Sequence, residues 1–329
     1  MNDWLLENAE APIRYRVARE LVKDEQLAKS IEPELLEHKE VQKWLKNLSQ
    51  QCIVHGSFDI CLENAIPKLV QLGLHGGLQS LTDAAEVYIN RFEDKWISAN
   101  IFSLAGIKND EIKKFMLEKL DMIHRFVQMK TYDFYLSDEE RDELTCVPIN
   151  WRKSKFIKPE LTRRTDFSYP YIYDILGMFC LYDLNDPAVD QKINDVIDYI
   201  STDEFNANVA DGYGILIYDN KKYYSQGWDP KYPGWFDAAG YDNMSKLLFF
   251  AQNIVKYPSA RKTKWFGELM NYLESFKNEE GRYIFPAKWF KEMSGYAVQG
   301  NHMSLGETKY KRNWCEIEST FYMLLLKNY

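Results

Sequence analysis

The stretch DEIKKFMLEKLDMIHRFVQM, Asp110 to Met129, decides the fold class. Phe115, Leu117, Leu120, Ile123, Phe126 and Val127 form an apolar stripe at helical period, with charges between them. Asn109 stands just before it, where a short amide side chain takes up an orphan N–H of the first turn. Asp94 to Ile107 reads as a second helix with Gly106 near its stop, so the two make a helix–turn–helix hairpin.

Outward from this pair the design repeats. Tyr171 to Leu184 and Val189 to Ile200 are joined by Asn185-Asp186-Pro187, and Tyr241 to Tyr257 and Lys264 to Lys277 are joined around Pro258. Upstream, Ala11 to Lys23 carries Pro12 in its first turn, where a missing N–H costs nothing. Leu62 to Leu74 contains Pro67, which implies a kink or a late start. Leu78 to Phe92 and a closing helix, Asn313 to Lys327, complete the series. Gly–aromatic turns echo along it at Gly56-Ser57-Phe58, Gly212-Tyr213 and Gly281-Arg282-Tyr283, as in a stacked or closed helical repeat. Three stretches break the pattern: Tyr132 to Ser168, Asp203 to Gly240 and Gly295 to Lys311. The second holds a β-hairpin, Tyr213 to Tyr224, turning at Asp219-Asn220. Loops this long belong to sites or to lids.

Composition narrows the class. A chain of 329 residues with 46% hydrophobic and 27% charged residues packs a large core. Nine Trp, 22 Tyr and 18 Phe could line a wide cavity or simply thicken the core. A net charge of −8 argues against general nucleic-acid binding, and the interrupted basic run Arg152, Lys153, Lys155, Lys158, Arg163, Arg164 reads as a solvated loop. Five scattered cysteines without a CxxC fit a reducing compartment. No basic segment followed by an apolar one opens the chain, and no apolar run is long enough to span a bilayer, so a cytoplasmic protein without a membrane span is expected.

With Asp211-Gly212-Tyr213 and Glu280-Gly281-Arg282-Tyr283 set among helical hairpins, the chain resembles the α/α toroids of squalene and terpenoid cyclases and of protein prenyltransferase β-subunits. The opening WLLENAEAPIRYRVARELV and the closing WCEIESTFYMLLL are similar to the ends of bacterial toroid-like proteins. The resemblance implies an all-α fold, an α/α toroid or incomplete barrel, over residues 61–329, with residues 1–60 as a helical segment packed on it. It also favours an apolar, isoprenoid-like ligand. The chemistry of those families is not carried over. DxDD and DDxxD are absent, and His302 and Cys315 lack the Asp-x-Cys that completes a prenyltransferase zinc site, so neither metal nor cofactor is expected.

Three places carry candidate chemistry. The loop Gln226 to Asp237, continuing to Asp242, sets Asp237 and Asp242 among Trp228, Trp235 and Tyr241. Aromatic faces hold a sugar or a cation there and carboxylates move protons, unless an Asp caps the next helix and the Trp residues pack the loop. Tyr169, Tyr173 and Asp174 stand at a helix start, where an acid also serves the helix dipole. His302 in a Gly-rich loop is grouped with Trp314, Glu316 and Glu318. A buried Glu there would pair with Arg312 or Arg14. His55 near Cys52 and Cys61 lacks a four-ligand set, and no phosphate-binding loop is present.

The first expectation is therefore a protein that binds or transforms a small, largely hydrophobic molecule in an aromatic-lined central cavity. Asp174, Asp237, Asp242 and His302 would be its acid–base groups, and Tyr169, Tyr173, Trp228, Trp235, Tyr241 and Trp314 its ligand contacts. A carbohydrate-active α/α barrel would instead show an open cleft with paired carboxyls. A helical-repeat interaction module would show a filled core and an exposed apolar patch.

Overall fold

A computed structural model describes residues 1–50, 53–83, 95–162, 166–218 and 222–329. Helices dominate these residues, and two strands form a single hairpin. The larger helices are α1 (Asn2–Asn8), α2 (Ala11–Arg16), α3 (Glu25–Glu37), α4 (Lys39–Gln50), α5 (Leu62–Gln71), α6 (Lys95–Leu104), α7 (Asp110–Gln128), α8 (Ile172–Gly177), α9 (Pro187–Ile200), α10 (Met244–Ile254), α11 (Lys264–Glu274) and α12 (Trp314–Lys327). No described helix is long and apolar enough to cross a membrane.

Local chemistry sets the boundaries. The Asn109 side chain accepts from the N–H groups of Glu111 and Ile112 at 2.9 and 3.2 Å, which starts α7 where expected. Its buried stripe is Ile112, Met116, Leu120, Ile123, Phe126 and Val127. Phe115 and Leu117 flank that stripe, half-buried, because the spacing of three and four residues selects Met116. Asp186 caps α9 with Pro187 at its first position, and Thr263 caps α11. Asn243 caps α10, so neither Asp237 nor Asp242 does.

Two expected helices depart from uniform α geometry. Ala11 to Lys23 becomes α2 followed by a π-helical turn, Val17–Val22, closed by Lys23 at φ 60°. Tyr171 to Leu184 becomes α8 followed by a 3₁₀ segment, Met178–Leu184. At their junction a Cβ on Gly177 would lie 2.7 Å from the Asn100 carbonyl, so only glycine lets α6 pass this close. Pro67 stays inside α5. The expected Leu78 to Phe92 and the start of Asp94 to Ile107 fall largely outside the described residues, as do Asp219, Asn220, Arg163, Arg164 and Cys52.

The hairpin pairs β1 (Tyr213–Tyr218) with β2 (Lys222–Trp228), Tyr213 opposite Trp228, with an irregularity between Gly214 and Ile215. The three Gly–aromatic turns are not equivalent. Gly56 and Gly281 have positive φ and Gly212 does not, while Phe58 is 65% exposed and Tyr283 fully buried. The described part of the stretch 132–168 is a packed loop. It holds a short helix, Asp138–Asp142, with a Ser137–Glu140 capping box, and an antiparallel bridge from Tyr135 to Ile157.

One hydrophobic core runs from Leu5 on α1 to Leu326 on α12, so residues on both sides of position 60 contribute to the same interior. Phe126, Phe134, Tyr169, Tyr199 and Phe205 form one of its aromatic clusters, largely edge-to-face.

Candidate ligand cavity

A cavity of about 550 Å³ opens between six helical segments drawn from the whole length of the chain. Its wall takes Arg16, Arg19 and Glu20 from α2 and the π turn, Gln71 from α5, and Ser103 from α6. Phe179 and Cys180 come from the 3₁₀ segment after α8, Phe249 and Gln252 from α10, and Leu325 from α12. Helices α3, α4, α7, α9 and α11 contribute no wall residue. On α5, α6, α10 and α12 the wall residues fall toward the C-terminal ends, and Lys256 and Tyr329 lie just beyond. The π turn widens the helix by one residue, as such turns often do at sites, and it carries Arg19 and Glu20 onto the wall.

The wall is apolar in body and polar at points. Leu176, Phe179, Phe249 and Leu325 supply apolar surface. Gln71 and Gln252, 4% and 5% exposed, each leave one amide atom without a partner among the described residues: Oε1 of Gln71 and Nε2 of Gln252. An unpaired buried amide atom costs about 1–3 kcal/mol, so these two are groups that a ligand or water would satisfy. The Gln71 Nε2 is spent on the Met303 sulfur at 3.5 Å.

Charges are sorted as well. Arg16 forks onto Glu20 through Nε and Nη2, both at 2.9 Å, and its Nη1 donates to the Gln71 carbonyl at 3.0 Å. Burial and the guanidinium of Arg19 hold His75 down at about 4, so its imidazole is neutral. The Gly77 N–H donates to Nδ1 at 3.0 Å, which leaves the ring proton on Nε2, facing the Tyr15 hydroxyl at 2.9 Å. The wall holds four cations, Arg16, Arg19, Lys108 and Lys256, against two carboxylates, Glu20 and Asp183. Glu20 is taken by Arg16, and Asp183 lies 3.9 Å from Lys108 on the exposed rim. Arg19 and Lys256 are left without an ion pair among the described residues.

None of the residues singled out from the sequence lines this cavity. Several are held instead in separate buried polar contacts. Tyr169 donates to Asp229 Oδ1 at 3.0 Å, and Tyr135 to Oδ2 at 3.4 Å. Burial pushes the Asp229 carboxyl up to about 8 despite these bonds. Asp174 accepts from Asn100 and from the Tyr171 N–H, with Lys119 at 3.6 Å. Burial raises it to about 6. Tyr173 donates to the Glu63 carbonyl at 2.6 Å. His302 is 2% exposed and bonds through Nε2 to the Gly295 carbonyl at 2.9 Å, with the Trp44 ring edge-on at 4.8 Å. Glu318 meets Ser304 and the Leu305 N–H, both at 3.0 Å, and its charged neighbour is Lys309 at 3.7 Å instead of Arg312 or Arg14. Burial lifts it to about 7.

The rest lie apart. Lys309 sits 3.6 Å above the Trp314 ring, and Trp228 meets Tyr296 edge-on at 5.1 Å. Trp235 donates to Asp203 at 2.6 Å, and Tyr241 to Asp211 at 3.0 Å. Asp237 is exposed and accepts from the Gly240 N–H at 2.8 Å within its own turn, and Asp242 is also exposed. No group of three or more His, Cys, Asp or Glu among the described residues is arranged to hold a metal ion.

The cavity residues were missed because nothing in their spacing marks them. The signal that existed was chemical: Gln71 and Gln252-Asn253 are amides inside otherwise apolar helical runs. Comparison of the chain with models of protein families, with curated proteins and with solved structures returned no match.

Proposed function

We infer that this is an α/α-toroid protein that receives a small molecule in the six-segment cavity, an apolar body against Leu176, Phe179 and Phe249 and an anionic or strongly polar end toward Arg19. The observation that carries the reading is the cavity itself. About 550 Å³ lies within the size of small-molecule sites, and two buried amide atoms in its wall have no partner among the described residues. Support for the toroid comes from the chain order of its wall from α6 onward: α6, α8 with its 3₁₀ segment, α10 and α12 line the cavity, and α7, α9 and α11 between them do not. The isoprenoid-like ligand expected from resemblance is kept for the apolar half of the site only, since the wall is richer in charge than such a ligand alone would need.

Native mass spectrometry of the purified chain, followed by denaturation and identification of any released molecule, tests this. The expected result is an amphiphilic anion bound one to one, or displacement of anilinonaphthalene sulfonate by medium-chain fatty anions. Either should weaken at least fivefold in Arg19→Gln and Gln252→Leu. A bare chain mass with no saturable anion binding overturns it.

A further inference from the structure

Lysines that reach the interior of this protein are almost all spent. Lys68, 1% exposed, gives its hydrogens to Glu292 at 2.7 Å and to the carbonyls of His302 and Ser304 at 3.1 and 2.5 Å. Lys119 donates to Ser168 at 2.7 Å, Lys231 to the Val209 carbonyl at 2.9 Å, and Lys291 to Asn243 at 3.1 Å. Lys246 is paired with Asp211, and Lys309 sits between Glu318 and the Trp314 ring. Lys256 differs. It stands in the cavity wall, one helical turn beyond Gln252, and among the described residues its Nζ has no hydrogen bond or ion pair but lies over the face of Phe179, 5.8 Å from the ring centre.

A lysine placed so has two uses, as a fixed cation or as an amine. The surroundings favour the amine. Its nearest acid, Glu20, is already forked by Arg16, and Arg16 and Arg19 bring two further positive charges to the same wall. Desolvation, reinforced by those two guanidinium groups and opposed by Glu20, brings the Lys256 amine down to about 8. At neutral pH roughly a tenth of it is then unprotonated, hundreds of times more than for an ordinary surface lysine. Desolvation and neighbouring cations are the two means by which proteins turn lysine into a nucleophile.

We propose that Lys256 is a nucleophilic amine that forms a Schiff base with an anionic carbonyl compound, a 2-oxo acid or a carboxylate-bearing aldehyde, whose carboxylate Arg19 holds. This rests on the cavity being a ligand site. The Nζ lone pair attacks the carbonyl carbon, and the C=O π pair moves to oxygen. The C–N σ bond forms, two protons pass from nitrogen to that oxygen, and as the C–O bond breaks and water leaves the nitrogen lone pair makes the C=N π bond. The net change is amine plus carbonyl to imine plus water, with no oxidation or reduction. Gln71 Oε1 and Gln252 Nε2, both unpaired among the described residues and in the same wall, are of the type that would hydrogen-bond the carbinolamine on the way.

The test uses the full chain at pH 7, with 4-formylbenzoate as probe and cyanoborohydride to trap the imine as a secondary amine. Peptide mapping then gives the rate at each lysine. Lys256 should be labelled at least tenfold faster than the exposed Lys264 and Lys108, with a rate that saturates in probe. Arg19→Gln should raise the half-saturating concentration at least fivefold while Lys256 remains the labelled residue. Benzaldehyde, lacking the carboxylate, should not saturate. Binding of 4-methylbenzoate, which cannot form an imine, is measured in parallel. Saturable 4-methylbenzoate binding with Lys256 labelled no faster than Lys264 overturns the Schiff-base inference and leaves the cavity reading standing. Failure of both overturns both.

Discussion

The hydroxyl of Tyr173 donates to the backbone carbonyl of Glu63 at 2.6 Å, and Pro67 is why that carbonyl is free to accept. Within α5 the Glu63 oxygen would take the N–H four residues on, which proline lacks. Both groups are buried, so water cannot serve instead. Tyr173→Phe should therefore cost about 1–3 kcal/mol by urea denaturation. In a Pro67→Ala background, where an amide N–H is restored to the helix, the same change should cost less than half as much. Equal costs in both backgrounds would remove the link between the two residues.

Asp229 supplies a pH signature. Its carboxyl titrates at about 8 in the fold and in the ordinary carboxylate range when unfolded. The native state keeps a proton that the unfolded chain releases between about pH 4 and 8, so this group's stabilisation is lost as pH rises through that window. Asp174 and Glu318, raised to about 6 and about 7, act in the same direction. Asp229→Asn, which keeps an acceptor for Tyr169, should be a few kcal/mol more stable than the parent at pH 8.5 and nearly equal at pH 4. Denaturation midpoints at the two pH values check this, and a constant difference would refute it.

Lys256 makes the opposite prediction. Its folded pKa lies below the unfolded one, so between about pH 8 and 10.5 the unfolded chain holds a proton that the native state has lost. Stability from this group rises with pH across that range, and the charged form is a burden below it. Lys256→Met should stabilise the protein at pH 7 by about 1 kcal/mol, allowing for a side chain that is still partly in water, and the gain should vanish near pH 10. Thermal unfolding of both proteins at pH 7 and pH 10 measures it.

Trp235 separates packing from binding. Its ring meets Tyr232 edge-on at 5.0 Å and its Nε1 holds Asp203, yet it lies outside the cavity wall. Trp235→Ala should cost about 2 kcal/mol of stability and leave anion binding within twofold of the parent. A larger loss of binding, with the variant still folded, would move the ligand toward the 226–242 loop.

What the sequence made legible follows from what periodicity encodes. A long helix facing water on one side, such as α7, shows its stripe and its Asn109 cap in the chain itself. Helix α10 does not: every residue from Met244 to Ile254 except the half-buried Lys246 is buried, so no broad face is marked and Gln252 gives no hint of which side it is on. The cavity exists because six distant segments meet, and no local pattern records that meeting. Tyr173 shows the same limit from the other direction. A tyrosine at a helix start reads as a ligand contact until the proline 106 positions away, whose lost hydrogen bond it repairs, is brought beside it.

The carboxyl ends of four helices, α5, α6, α10 and α12, converge on the cavity, and each brings a fractional negative charge. Arg19 and Lys256 therefore do not simply make the site positive; they tip a balance between two opposed fields. A protonated imine at position 256 would gain from those helix ends, whereas a free carboxylate anywhere but beside Arg19 would be repelled. One charge reversal at either cation would then leave the helix ends in command, turning the proposed anion site into one for cations on an otherwise unchanged backbone.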